Sequence, residues 1–411
     1  MFYMDIPARR RFCLMIVPLL GLLSMVCVTP AWSADSRRCV ALRLDEDLAH
    51  GVGYGLKKAR WQGAEFEDSG MVTIQPRMAG LMGPSVTLLS RDVRLAVGLH
   101  QTSPQELWQK ARWNMERVGG CAPPPVTSLK SLGRAFYWRV YADMLTGFSR
   151  FEPKILERTR TVAEALFTRP YGFIFGGAVA GTLNDNTSAL LLSGDTRPPV
   201  RRDIALYSAH PEVERLFASW RRTPVTDLHL AVSAGWLEEM YGGTGAEVVW
   251  RPFGSSFWAG ADGWAVWRRD PARIGNLPFT GSARFTGQAR IGYDMPESRF
   301  GATLAAGRFL AGDYGAALTM SQGFDNGARL EARIAWSGYQ ENQGFFRDTR
   351  LDPSVRFVWP LGGSRHRAVE ATFRQVGRDG GQTLDRPLPL DRMTEGFSAR
   401  EVARHWPQML D

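Results

Sequence analysis

The sequence predicts a mainly β protein: a small α+β N-terminal region followed by a C-terminal antiparallel, up-and-down β-barrel of about 8–12 strands. Three observations predict it. Beyond Tyr171 the chain alternates apolar and polar residues with period two. Glycine-rich turn signals fall between those segments. No long apolar run follows Val28, so any membrane insertion beyond that point must use strands rather than helices.

The chain starts with Arg9, Arg10 and Arg11, an apolar stretch from Phe12 to Val28, and the small-residue exit Ala31-Trp32-Ser33-Ala34. This is the pattern of a secretory signal peptide over residues 1–34, cleaved after Ser33 or Ala34. An uncleaved anchor is the plainer alternative, and the small-residue exit argues against it. Lipidation at Cys27 is a third, for which Met25 and Val26 are poor neighbours. Cys13 and Cys27 leave with the signal, so Cys39 and Cys121 remain, and in an oxidising compartment they most simply form one disulfide. Such a loop would stabilise the fold by about 4 kcal/mol. Two free thiols, or a bond to a partner, are the alternatives. Neither cysteine has a CxxC neighbour and the six histidines are scattered, so no metal site and no cofactor is expected.

The formal charge of +9 falls to about +7 once the three signal arginines and Asp5 are removed. For a secreted chain that balance points to anionic polysaccharide and outer-membrane lipid as partners rather than nucleic acid. A solvated basic surface with no ligand is the bland reading.

Residues 35–169 read as a mixed α+β periplasmic region. Met71 to Gln75 and Ser85 to Leu89 are strand-like, and Pro104 to Met115 is helical behind Ser103 as N-cap. Pro153 to Phe167 also has helical spacing, and Pro123-Pro124-Pro125 marks a linker or rigid turn.

Residues 170–411 form the predicted barrel domain. Leu228, Leu230, Val232, Ala234 and Trp236 share one face, opposite His229, Ala231, Ser233 and Gly235. Phe285, Ala289, Ile291 and Tyr293 likewise alternate with Arg284, Thr286, Gln288 and Arg290, and Leu330, Ala332, Ile334 and Trp336 with Arg329, Glu331 and Arg333. Shorter runs cover 244–251, 300–306, 313–320, 355–359 and 367–373. About eight strands are expected from Asp227 to Arg374, with two to four more between Tyr171 and His210. Asn326-Gly327 is a hairpin signal. Gly307 to Gly315 reads as a tight hairpin in which Gly312 and Gly315 supply unusual dihedrals and Arg308 pairs with Asp313; a sugar contact at a barrel rim is the functional alternative.

Alternation does not distinguish a soluble sheet from a membrane barrel. Charges of both signs in mid-strand favour the barrel, as do aromatic residues near strand ends (Trp236, Tyr241, Trp250, Tyr293, Trp336, Trp359) and segments near membrane-crossing length. Against it, Pro407 excludes a last ladder strand with an aromatic end.

The blocks Trp236 to Gly243, Gly245 to Val248 and Trp250 to Phe253 resemble the YjbH family of exopolysaccharide-associated outer-membrane proteins, related to GfcD. Gly307 to Gly315 before Phe324 to Gly327, and Arg378 to Gln382 before Leu384 to Leu388, extend the likeness from about Leu190 to the end. The resemblance implies a lipoprotein or porin-like barrel of a polysaccharide secretion system, with other secretion proteins as partners and no catalytic residues to carry over.

The residues themselves agree with a chain that is not an enzyme. Glu238 and Glu239 are adjacent, so on a strand they face opposite ways and cannot flank one glycosidic bond; a turn or rim position suits them better. His229 reads as a hydrogen-bonded interior residue. Arg284, Arg290, Arg329 and Arg333 are the candidate lining for an acidic polymer, with pairing to Glu247 and Glu331 as the structural alternative. The expectation is an outer-membrane barrel assisting exopolysaccharide or capsule export; the alternative is a soluble periplasmic carbohydrate-binding or carbohydrate-degrading β-protein.

Overall fold

The structure is a computed structural model that describes residues 38–43, 71–97, 101–114, 136–148, 155–192, 200–201, 203–207, 212–272, 278–295, 298–339, 348–363, 366–376 and 382–410. The signal-peptide expectation, the Cys39–Cys121 pairing and the triproline turn lie outside what is described.

The first unit is a small sheet of β1 (Arg38–Arg43), β2 (Met71–Met78), β3 (Leu81–Met82), β4 (Ser85–Leu89) and β5 (Arg112–Asn114), with β1 parallel to β2 and the rest antiparallel. Two helices join it, α1 (Ser90–Val97) and α2 (Pro104–Lys110). Ser103 Oγ accepts from the Glu106 amide at 3.1 Å, the N-cap that the sequence predicts, but the helix expected over 104–115 stops at Lys110 and Arg112–Asn114 is strand, paired with β4.

Thirteen strands then close a barrel: β6 (Phe136–Phe148), β7 (Ile155–Thr168), β8 (Phe173–Asp185), β9 (Glu212–Val225), β10 (Leu228–Trp236), β11 (Tyr241–Trp250), β12 (Phe257–Arg269), β13 (Phe279–Asp294), β14 (Phe300–Arg308), β15 (Tyr314–Gly323), β16 (Arg329–Tyr339), β17 (Asp348–Pro360) and β18 (Arg367–Gln375). Each is antiparallel to its sequence neighbour, but β18 meets β6 in parallel, with Arg367 opposite Val140 and Gln375 opposite Phe148. An up-and-down count that is odd leaves its first and last strands pointing the same way. The barrel is therefore mixed rather than purely antiparallel, and larger than the 8–12 strands expected.

Two corrections follow. The barrel starts at Phe136, not near residue 170, so the mixed region is shorter than its predicted 35–169. Ile155–Thr168, expected to be helical, is β7. Its Ile155, Thr159, Val162 and Leu166 do repeat at helical spacing, but Arg158, Arg160, Val162 and Glu164 also repeat at period two. The second pattern wins because β6 and β8 pair with the segment on both edges and its charges find partners inside.

The polarity of the wall is inverted relative to a soluble protein. Arg221, Arg269 and Arg350 are 0% exposed on the inner face, and Arg158, Arg160, Glu164, Glu247, Arg290 and Glu370 are buried there too. Outside, Ile291 is 62% exposed and Val232, Phe285, Leu304 and Phe373 are exposed. Trp250, Phe257, Trp138 and Trp359 are exposed toward one rim, while Trp336, Phe279 and Tyr314 are exposed toward the other. Tyr241 departs from the predicted girdle. It is fully buried, and its hydroxyl donates to the Val200 carbonyl at 3.0 Å.

The N-terminal sheet sits against the rim that carries the β7–β8 and β9–β10 turns. Met82 N donates to Thr223 Oγ1 at 2.9 Å, and the Ala79-Gly80 turn meets Gly172. A Cβ on Gly172 would lie 1.9 Å from the Arg221 carbonyl oxygen, and Gly172 has φ +89°. Both backbones lie at the end of the β8–β9 ladder, where Phe173 pairs with Trp220, so neither can retreat without opening that pairing. Gly172→Ala is expected to cost about 2–3 kcal/mol, read as a lower thermal midpoint of the folded barrel.

Candidate functional site

After β18 the described chain resumes at Gln382 and turns back into the barrel, where it forms a plug that includes α3 (Leu390–Thr394) and leads into α4 (Ala399–Leu410). It enters at the rim of the β10–β11 and β14–β15 loops: the Leu310 amide donates to the Gln382 carbonyl at 3.0 Å, and the Asp385 amide donates to Glu238 Oε2 at 2.7 Å. Midway, Arg386 meets Glu247 at 2.5 Å, and Arg221 donates to the Leu388 carbonyl at 2.7 Å. At the opposite rim, Phe397 stacks on His229, and the Ala399 amide donates to the Phe253 carbonyl at 2.9 Å. Trp406 then joins Trp108, Trp113 and Phe253 in one aromatic cluster, and its indole donates to the Pro104 carbonyl at 3.0 Å. Pro407 thus lies in α4 rather than in a ladder strand, in keeping with its missing amide proton, which a ladder strand would need.

Plug and wall are matched in charge. Arg290 lies 2.9 Å from Asp262, 3.7 Å from Glu247 and 3.9 Å from Asp391 of the plug. Arg329 bridges Glu331 at 2.9 Å and Glu395 of the plug at 2.7 Å, and Arg392 pairs with Glu331. Elsewhere on the wall, Arg139 joins Glu164 and Glu370, and Arg160 joins Asp143 and Glu214. Charges this deep are held by ion pairs of this kind or, as at Arg221 and Arg269, by backbone carbonyls.

Of the four arginines predicted to line the interior, all face inward. Arg290 and Arg329 are committed to carboxylates, the structural alternative. Arg284 lies opposite Val266 on the inner face, toward the rim of the β10–β11 loop. Arg333 lies opposite Ser354, partly accessible. Glu238 and Glu239 occupy the β10–β11 loop and are both buried. Glu238 accepts from Arg201 at 2.7 Å, and Glu239 takes a two-pronged contact from Arg158 at 2.5 and 2.9 Å. His229 is buried, with Nδ1 2.9 Å from Thr223 Oγ1.

The hairpin residues are structural. Asn326 Oδ1 accepts from the Ala328 amide at 3.0 Å, and Gly327 has φ +85°. Gly312 has φ +90° as predicted, whereas Gly315 needs space rather than an unusual dihedral: a Cβ there would lie 2.1 Å from the Trp336 carbonyl. The predicted Arg308–Asp313 pair does not form. Arg308 Nε donates to the Gly312 carbonyl at 3.2 Å, and Asp313 accepts from Ser337 inside the barrel, because Tyr314 and Asp313 point to opposite faces.

Burial raises Glu238 above the ordinary carboxylate range even beside Arg201. Burial also opposes ionisation of Glu239, but Arg158 and Arg160 outweigh it and hold that carboxyl at about 2. Glu395 is likewise lowered, by Arg329 against burial. Groups with depressed values stabilise the fold above their unfolded value near 4.5 and lose that contribution as pH falls through the folded value. Glu238 has the opposite sign, so acid relieves its cost. With two groups against one, the thermal midpoint is expected to fall between about pH 4.5 and pH 2. A midpoint that stays level across that range would show these latches contribute nothing.

The plug is what sequence reasoning missed. Its residues have neither strand alternation nor a long helix pattern, and only the excess of charge in 385–401 hints at a segment needing partners. Also unread were β6, β9 and β12, although Phe136, Trp138 and Val140 do alternate with Tyr137, Arg139 and Tyr141.

Comparison with known proteins gives two findings. A family model described as exopolysaccharide biosynthesis protein YbjH matches residues 90–396, a span running from α1 through the barrel into the plug. A protein of Escherichia coli strain K12 described as an uncharacterized lipoprotein, YjbH, is 32% identical over 178 residues. That overlap covers 41% of this chain and 24% of the relative, so the chain matches about a quarter of the relative's length.

Proposed function

The chain belongs to the YjbH family of exopolysaccharide biosynthesis proteins, and on that footing we propose that it is an outer-membrane β-barrel that assists export of an exopolysaccharide or capsule. The observation that carries the proposal is the inverted wall, with buried arginines and carboxylates inside and exposed Ile, Leu, Val, Phe and Trp outside. In water that outer face would be a contiguous apolar surface, whereas in lipid it is the stable arrangement. The exposed aromatic residues toward both rims support the same reading, since Trp and Tyr favour the membrane–water interface. Among the described residues no helix is long and apolar enough to cross a membrane, which leaves the strands to do it.

The role we assign is non-enzymatic. Glu238 and Glu239, the paired acids nearest to a hydrolase pattern, are each held by arginines away from any space a sugar could enter. The partners we infer are an anionic polymer, outer-membrane lipid and other secretion proteins. Fractionation tests the placement: the protein is expected in the outer-membrane fraction, released only by detergent and migrating faster on gels unless heated. Recovery in the soluble periplasm would overturn it. For the role, deletion is expected to lower released polymer, and unchanged release would remove the claim.

A further inference from the structure

We propose that the inner wall of the barrel carries an anion-binding niche for a carboxylate-bearing sugar, built from Arg333, Ser354 and Arg374 and framed by the plug. The inference rests on the barrel reading above and adds the place and the chemistry of the ligand.

The plug does not bear equally on the wall. Inward side chains of β7, β9 and β10, such as Arg158, Val162, Phe217, Arg221 and His229, are buried. On β16 and β17 the plug makes its named polar contacts at two levels. Gln382 meets Ser337 at 2.7 Å and Asp352 at 3.2 Å; lower down, Arg392 and Glu395 meet Glu331 and Arg329. Between those levels runs one row of inward residues in direct register: Arg333 opposite Ser354, and Ser354 opposite Arg374. All three are only partly buried, as is Thr372 on the same face of β18.

The chemistry of that row is one-sided. Arg158, Arg160 and Arg290 are tied to carboxylates, and Arg221 and Arg269 to backbone carbonyls, but Arg333 forms no ion pair within 4 Å among the described residues, and Arg374 Nε makes no hydrogen bond. The acid on the same face, Asp352, is a single carboxylate facing both guanidinium groups, so the row carries an excess of positive charge. Arg356, the inward neighbour of Ser354 on β17, is spent on Glu370 at 2.5 Å. With adjacent strands about 4.8 Å apart, the two arginine backbones lie about 10 Å from each other, a span two guanidinium groups can close onto one carboxylate. The Ser354 and Thr372 hydroxyls provide the donors and acceptors that ring hydroxyls need. A uronate satisfies both halves of this set. A neutral hexose would leave the guanidinium groups unmatched.

The test uses the full-length protein, purified and folded in detergent, with tri-galacturonate as the probe and maltotriose as its neutral counterpart. Tri-galacturonate is expected to bind and maltotriose not. Arg333→Gln with Arg374→Gln is expected to weaken binding at least about tenfold while heat-modifiable migration persists, and the corresponding Lys pair to retain part of the affinity. If the double Gln variant does not fold, Arg333→Gln alone serves, because that residue lacks a structural ion pair. Equal binding of the two trisaccharides, no binding at millimolar probe, or unchanged affinity in a folded variant would each overturn the niche. These outcomes are independent of where the protein fractionates and of whether its deletion lowers polymer release, so failure of the niche and failure of the export reading are distinguishable.

Discussion

Glu247→Gln is expected to destabilise the folded protein by about 3–5 kcal/mol, the largest effect of any single charge removal considered. Glu247 is 3% exposed on β11 and lies between Arg386 of the plug at 2.5 Å and Arg290 of β13 at 3.7 Å; it also accepts from the Leu390 amide at 3.3 Å. Gln keeps the shape and the amide contact but removes the charge. Asp262, 2.9 Å from Arg290 and 3.7 Å from Arg386, then faces two guanidinium groups with one carboxylate fewer. The cost comes from leaving buried cations under-matched in a site where water cannot replace the lost partner. Unfolding in denaturant, followed by loss of heat-modifiable migration, measures it; a change under 1 kcal/mol would mean that the cluster is more hydrated than its geometry indicates. Coupling supplies a second check. If the plug transmits the effect, Arg386→Gln combined with Glu247→Gln should cost less than the sum of the two single changes.

Trp406→Ala should act locally rather than globally. The ring is 2% exposed and packs on Trp108 at 5.3 Å and Trp113 at 5.9 Å between ring centres, with one indole hydrogen bond to the N-terminal unit. Truncation removes the ring and leaves a cavity, a change worth about 3–5 kcal/mol in a packed core. The loss falls on the joint between α4 and α2. The expected result is faster trypsin cleavage after Arg400 in an otherwise folded barrel, since local opening becomes cheaper while the wall stays paired. Trp406→Phe should restore much of the protection. Uniform loss of the barrel instead would show that the plug is part of the folding core and cannot open on its own.

Much of the barrel is legible in the sequence, and the reason is local. On β10, β13 and β16 the period-two pattern is complete, and the faces read from it are the faces observed: Val232 and Ile291 outside, His229 and Arg290 inside. Turn chemistry was equally readable, because Gly312 and Gly327 need positive φ whatever surrounds them. On β7 two periods coexist and only pairing partners decide between them.

The candidate site was half legible. Which arginines face inward follows from alternation, but whether each is free or matched does not. Arg290 and Arg329 meet plug residues 101 and 66 positions away in sequence, and nothing near either arginine announces Asp391 or Glu395.

By itself, then, the sequence determined the strand faces, the hairpins and the family, since these depend on neighbours along the chain and on spacing. Tertiary structure alone decided the count of thirteen, the parallel seam between β18 and β6, and the return of residues 382–410 through the barrel. Closure and charge matching are properties of segments far apart in the chain, and their energies exist only once those segments meet.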